Sequence, residues 1–181
     1  MIILDLCGGT GAWSKPYKDA GYDVWNIDTS ISKHFDVRLQ QHQDWNVHGI
    51  LAAPPCGHLA GSGARWWKDK GEEALLEALG IVDACLRAVV LYKPTWWVLE
   101  NPVGRLVHYL GPPTLYFHPC HYGDPWTKYT CLWGEFNIPT KNKVEPTEGS
   151  KMHLIPPGPE QKKLRSETSP GFAQAFFEAN P

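Results

Sequence analysis

The chain has 181 residues and a formal net charge of −2, with 43% hydrophobic and 20% charged residues. That length suits one domain with a sizeable core and leaves little for a second. The near-neutral balance excludes a generally basic nucleic-acid-binding surface, so any contact with nucleic acid must rest on local positive charge, and 17 glycines and 16 prolines favour a loop-rich globular protein over a helical bundle.

In chain order, Ile2 to Leu6 is a short apolar run that stops at Cys7-Gly-Gly-Thr-Gly. Ala12 to Gly21 predicts a brief helix closed by the glycine, and Tyr22 to Asp28 alternates as a second strand. His48 to Pro55 reads as a buried strand. Gly71 to Tyr92 is a long amphipathic helix, with Glu72 and Glu73 at the positive end of its dipole and Lys93-Pro94 just past its end. Thr95 to Pro102 supplies the next strand. Strands alternating with helices predict an α/β fold, a mostly parallel sheet covered on both faces, whose ligands bind beyond the carboxyl ends of the strands.

Past Pro112 the texture changes. Thr114 to Cys120 and Lys128 to Phe136 predict an antiparallel edge hairpin, and residues 139–163 an irregular, Pro- and Lys-rich surface loop. Pro170 to Asn180 closes the chain as a short helix with Ser169 as its cap and Phe172, Ala175, Phe176 and Ala179 on one face. No apolar run reaches the roughly 20 residues that span a bilayer, and Met1 leads directly into the first strand, so no signal peptide or membrane is expected. Five cysteines, an odd number without a Cys-x-x-Cys pair, argue against a disulfide scaffold and for a reducing compartment, the cytoplasm, or a host's cytoplasm for a viral chain.

The chemistry-bearing residues gather at the strand ends. Gly8, Gly9 and Gly11 carry no side chains to obstruct a ligand, and Asp28, about 20 residues on, is placed to accept hydrogen bonds from a ribose diol. No Gly-x-x-x-x-Gly-Lys-Ser/Thr motif is present, so a nucleoside without a polyphosphate fits best. Cys56 follows two prolines at a strand end, where a thiol is held rigidly with room for substrate; its reactivity requires a depressed pKa or an activating partner. Glu100 ends an apolar strand at the same sheet edge, where desolvation raises a carboxyl pKa. His118, Cys120, His121 and Cys131 are zinc-ligand types, but their spacing matches no standard zinc module and His118 and Cys120 are expected to share one strand face, so no metal is expected. Trp96 and Trp97 are expected in the core, and Trp66 and Trp67 beside Cys56 can reach a base or a backbone.

Together these motifs resemble the DNA (cytosine-5) methyltransferases. Asp5-Leu-Cys-Gly-Gly-Thr-Gly is similar to that family's cofactor loop, Pro54-Pro-Cys to its catalytic loop and Glu100-Asn-Pro to its Glu-Asn-Val; Tyr122 to Gly134 lies along its Tyr-Gly-Val-Pro-Gln-x-Arg-x-Arg strand, and Arg165 to Pro170 resembles the segment before its last helix. The resemblance implies a Rossmann-like methyltransferase fold in one catalytic domain spanning residues 1–181. It implies S-adenosyl-L-methionine as cofactor, held by Asp5, Cys7, Gly8, Gly9, Gly11, Trp13, Asp28, Thr29, Asp36 and Pro54, with Asp28 on the ribose and Asp36 at the adenine amino group. It also implies Cys56 as nucleophile, Glu100 on the cytosine ring and Lys128 as the retained cation, with Pro55, Ser62, Arg65, Trp66, Asn101 and Thr130 against the substrate.

The family's Gln-x-Arg-x-Arg is here Trp126-x-Lys128-x-Thr130, its adenine-packing aromatic is Cys7, and only the Pro/Lys loop occupies the interval of its target-recognition domain. DNA, single-stranded or bound with low specificity, is the implied substrate, with a protein partner or self-association to supply recognition. Two other readings stay open: modification of another pyrimidine, in RNA, single-stranded DNA or a free nucleotide; and a non-catalytic module that binds cofactor or nucleic acid.

Overall fold

A computed structural model describes residues 1–151, 154–156, 158 and 161–181, with the backbone alone for residues 162 and 163. Among these residues, six strands build one sheet: β1 (Ile2–Leu6), β2 (Asp23–Ile27), β3 (Val47–Ala52), β4 (Trp96–Pro102), β5 (Leu115–Phe117) and β6 (Thr130–Glu135). Their spatial order is β2-β1-β3-β4-β6-β5. The first four strands are parallel, and β6 runs antiparallel to both β4 and β5. The α/β class and the antiparallel pair are therefore those read from the sequence, with one refinement: β6 is inserted inside the sheet, and the three-residue β5 forms the edge. β1 lies between β2 and β3, so the strand order reverses there and a crevice opens at the carboxyl ends of β1 and β3.

The central strands read as nearly continuous apolar runs because both their faces are covered. On one face Leu4, Leu6, Ile50, Ala52 and Leu99 pack against Val82 and Cys85 of α2 (Trp67–Tyr92). On the other, Ile3, Leu51, Val98 and Leu132 meet Trp13, Tyr17 of α1 (Lys15–Asp19), and Phe172 and Phe176 of α5 (Pro170–Ala179). Trp96 is buried among Tyr17 and Phe176, whereas Trp97 packs half-buried against the other core. Two short helices, α3 (Val107–Leu110) and α4 (Gln161–Ser166), are the other α-helices among the described residues. No helix among the described residues is long and apolar enough to cross a membrane.

Gly71 (φ 74°) interrupts α2 after a preliminary turn, so the regular helix begins beyond it and Glu72 and Glu73 do lie in its first turn. The last helix starts where expected, but the acceptor at its amino end comes from elsewhere in the chain. Asp124, in the loop leading to β6, accepts from the Gly171 amide at 3.0 Å and from the Ser169 hydroxyl.

Two expectations are corrected. β5 stops at Phe117 and Pro119–His121 is a 3-10 turn, so His118 and Cys120 do not share a strand face; proline has no N–H for the ladder. Of the loop expected over residues 139–163, the end is helical from Gln161, and Met152, His153, Pro157, Pro159 and Glu160 lie outside the described residues.

Candidate active site

The glycine loop leaves β1 through Cys7, whose left-handed backbone (φ 57°) aims its amide at Ile27 O, 2.8 Å away at the end of β2. Asp28 fastens the loop from below. Its Oδ2 accepts from the Gly9 amide at 2.9 Å and its Oδ1 from the Ser30 amide at 2.7 Å, while Asn26 Nδ2 donates to Gly9 O at 3.3 Å. Asp5 has no exposed surface. Ser14 Oγ donates to its Oδ2 at 2.5 Å, but Oδ1 has no partner. Burial pushes this carboxyl up to about 6, against the Ser14 hydrogen bond and with a smaller upward contribution from Asp28. Gly8 lies directly over it; a Cβ there would sit 2.3 Å from the Asp5 carboxyl carbon.

Cys56 is presented at the end of β3, beyond Pro54 and Pro55, as the first residue of a single 3-10 turn, Cys56–His58. Its carbonyl closes the turn by accepting from the Leu59 and Ala60 amides at 2.9 and 2.8 Å. The segment after β4 clamps the turn from outside. Arg105 Nε donates to His58 O at 2.8 Å and the Arg105 amide to Leu59 O at 2.9 Å. The Gly61 amide donates to Val103 O at 2.9 Å, and Gly104 fits so closely that a Cβ would lie 2.0 Å from Leu59 O. Arg105 also lies 4.7 Å from the Trp67 ring centroid.

Glu100 and Lys128 meet across β4 and the chain entering β6, with Lys128 Nζ 3.9 Å from Glu100 Oε1 and side-chain exposures of 17% for the lysine and 13% for the glutamate. Burial raises the Glu100 carboxyl and Lys128 partly offsets it. Burial also raises the Cys56 thiol, Glu100 raises it further, and Lys128 and Arg165 pull it back. The depressed thiol pKa expected from the sequence is not present in the ligand-free chain: the thiol lies above its ordinary value, and Lys128 and Arg165 only partly oppose the two upward forces. Until a ligand changes that balance, the sulfur keeps its proton at neutral pH.

These pieces line one open cleft at the carboxyl ends of β1, β3 and β4. Of the sequence candidates, Asp5, Cys7, Gly8, Gly9, Trp13, Pro54, Pro55, Cys56, Glu100 and Lys128 line it. Thr130 lines a smaller chamber that shares Glu100 and Lys128 with the cleft and is walled by Trp126, Phe117 and Phe172. Gly11 closes the glycine turn on Gly8 O at 2.8 Å. Ser62, Arg65 and Trp66 form an exposed rim beside the Cys56 turn, with the Arg65 guanidinium 5.0 Å from the Trp66 ring centroid.

Asp28 does not line the cleft, and neither do three further candidates. Asn101 is fully buried and donates through Nδ2 to Pro54 O at 2.9 Å, so it faces the loop backbone. Asp36 is engaged by Arg38, whose Nη2 approaches to 2.7 Å and whose hydrogen bonds hold the carboxyl below its ordinary value. Thr29 is exposed and outside the cleft.

Sequence reasoning missed Thr10, Ala12, Ala53, Pro102, Ser166, Glu167 and Thr168 on the cleft wall. Thr10 Oγ1 donates to Glu167 Oε1 at 3.3 Å, joining the glycine loop to the segment before α5 across 157 residues of chain. The available signal was Ser169-Pro170, a helix start that fixes where the preceding residues emerge. Among the described residues no group of three or more His, Cys, Asp or Glu side chains is arranged to hold a metal ion.

No family model matches the chain. Among curated proteins it is similar to the type II methyltransferase M.DdeI of Desulfomicrobium norvegicum, 28% identical over a 127-residue alignment that covers 59% of this chain and 29% of that relative. Among solved structures it is similar to one described as a DNA modification methyltransferase encoded within an Escherichia coli prophage, with a TM-score of 0.49 and 17% identity over 80% of this chain and 52% of that one.

Proposed function

We propose that the chain is an S-adenosyl-L-methionine-dependent DNA methyltransferase that modifies C5 of cytosine through a covalent adduct on Cys56. The observation that carries this reading is the convergence of the Cys56 thiol, the Glu100–Lys128 pair and the glycine loop on one cleft. The similarity to the type II methyltransferase M.DdeI supports the broader activity.

The residues present fit the cofactor. Gly9 has open space where a side chain would lie, Gly8 makes room for the Asp5 carboxyl beneath it, and the buried Asp5 Oδ1 lacks a donor that an ammonium or hydroxyl group can supply. Asp5, Cys7, Gly8, Gly9, Trp13 and Pro54 would hold it directly, with Asp28 supporting the loop. When bound, S-adenosyl-L-methionine supplies an electrophilic methyl group.

The chain's own residues prepare the acceptor. Cytosine C5 is a weak nucleophile, so the Cys56 thiolate adds to C6; the new S–C6 bond pushes an electron pair toward C5. Glu100, whose carboxyl burial raises, takes up a proton as the ring binds, donates it in a hydrogen bond to N3 and stabilises the charge that develops in the ring. Lys128 favours the thiolate before attack and balances Glu100 afterward. Once C5 is methylated, a base removes its proton and the returning electron pair expels Cys56 as thiolate. A base inside a duplex cannot reach this geometry, so the target must be flipped out or unpaired.

Incubation with methyl-labelled cofactor and duplex DNA, single-stranded DNA, RNA or nucleotides tests the activity. Label should enter a DNA cytosine, and Cys56→Ser should abolish both transfer and the covalent adduct with a 5-fluorocytosine substrate. No transfer to any acceptor, or an adduct that survives Cys56→Ser, would refute the proposal.

A further inference from the structure

At the β5–β6 corner, two large aromatic side chains are exposed: Tyr116 at 41% and Tyr129 at 50%. Their ring centroids are 5.5 Å apart, and the His118 imidazole stacks on Tyr129 at 4.9 Å with the planes only 10° apart. His121 meets His118 edge-on at 5.5 Å. Beside it, Asn142 N donates to His121 O and Val144 N to Cys120 O, both at 2.9 Å, so the exposed Lys141 and Lys143 flank the end of the aromatic row.

We propose that this row is a landing platform for a single-stranded nucleic acid, with bases that flank the target stacking on Tyr116 and Tyr129 and phosphates paired with Lys141 and Lys143. The inference rests on the catalytic reading above and supplies a recognition surface for it. Stacking requires an exposed base face; a duplex hides its faces in the helix, whereas a single strand offers one at every step. The two lysines at the end of the row match an anionic backbone, and they argue against a purely apolar protein partner.

The platform adjoins the cleft. Lys128, which lines the cleft, directly precedes Tyr129, and the Val103 amide donates to Tyr129 O at 3.2 Å. Val103 in turn accepts from Gly61, just past the Cys56 turn. The backbone that carries Tyr129 is thus continuous with the cleft wall and tied to the segment after the Cys56 turn.

Fluorescence anisotropy with labelled oligodeoxythymidine, the matching RNA, a duplex and an acidic peptide tests this without any chemical step. Single strands should bind more tightly than the duplex, and comparing DNA with RNA identifies the source of the strand. Tyr116→Ala/Tyr129→Ala should weaken binding by at least about fivefold, Tyr129→Phe should retain it, and Lys141→Gln/Lys143→Gln should flatten the salt dependence. Should the alanine variant misfold, 5-bromouracil-substituted strands photocrosslinked to wild type should label peptides carrying Tyr116 or Tyr129. Unchanged affinity in a folded alanine variant, preference for the duplex, binding of the acidic peptide alone, or crosslinks confined to other surfaces would overturn the platform. A protein that binds strands here yet transfers no methyl group would overturn the catalytic reading and leave the platform standing.

Discussion

Asn101 Nδ2 donates to Pro54 O at 2.9 Å, and this bond ties the end of β4 to the loop that carries Cys56. Pro54 and Pro55 have no N–H, so the loop cannot fasten itself through its own donors at these positions. A side chain from the neighbouring strand does so instead. Asn101→Ala leaves the Pro54 carbonyl without that donor, which costs about 1–3 kcal/mol, and frees the thiol from its fixed approach. Calorimetric melting should show the loss, and 5-fluorocytosine adducts should form more slowly while cofactor binding to the glycine loop is kept. An unchanged melting temperature would show that the bond does not position the loop.

The charges around Cys56 predict opposite effects for two substitutions. Glu100 raises the thiol pKa and Lys128 lowers it. Glu100→Gln removes the negative charge, so at a fixed mildly alkaline pH more thiolate is present and iodoacetamide should label the Cys56 peptide severalfold faster. Lys128→Met should slow labelling. Peptide-resolved mass spectrometry separates Cys56 from the other four cysteines. Slower labelling in Glu100→Gln would contradict the assignment of Glu100 as the carboxylate that holds the proton on sulfur.

The site was legible in the sequence wherever an apolar run stops abruptly. Leu6 to Cys7 and Ala53 to Pro54 mark strand ends, and Leu99 to Glu100 marks the end of β4's parallel pairing with β3, although β4 runs on to Pro102 against β6; parallel strands deliver their ends to one edge. What was not legible depends on contacts between distant segments. No local pattern announces that Thr10 meets Glu167, that Arg105 reaches back to His58, or that Asp124 serves a helix beginning at Pro170. Strand neighbours are hidden for the same reason: the residues of β6 encode its two faces, but not its insertion between β4 and β5. Asn101 shows the limit at a single position, since an asparagine near a strand end serves a ligand or a loop equally well, and its hydrogen bond to Pro54 O depends on the pairing of distant segments.

Gly104 tests the outer clamp. A Cβ there would lie 2.0 Å from Leu59 O and 2.7 Å from the Gly61 amide nitrogen, both backbone atoms that cannot swing aside. Gly104→Ala must therefore part the two segments, breaking the Arg105–Leu59 and Gly61–Val103 hydrogen bonds. A loss exceeding about 2 kcal/mol is expected, with faster proteolysis within the Leu59 to Trp66 segment. A variant as stable and as protease-resistant as wild type would show that the clamp opens without cost.

Asp5 sets a stability cost that a ligand can relieve. Burial, opposed by the Ser14 hydrogen bond and reinforced by Asp28, raises its carboxyl from 3.8 to about 6 in the folded protein. The folded state therefore takes up this proton before the unfolded chain does as pH falls. Stability gained from Asp5 increases as pH drops through about 6 toward 4, and above 6 the full cost of a buried charge remains. A shift of this size corresponds to about 3 kcal/mol. Asp5→Asn keeps an oxygen for the Ser14 hydroxyl and removes the charge, so it should melt higher than wild type at pH 7.5, with the difference closing near pH 4. Added S-adenosyl-L-methionine should reverse the ranking, because its positive groups then have no carboxylate to meet. A substitution that destabilises the ligand-free protein at pH 7.5, with a pH profile parallel to wild type, would show that Asp5 is not a charge held in reserve for a ligand.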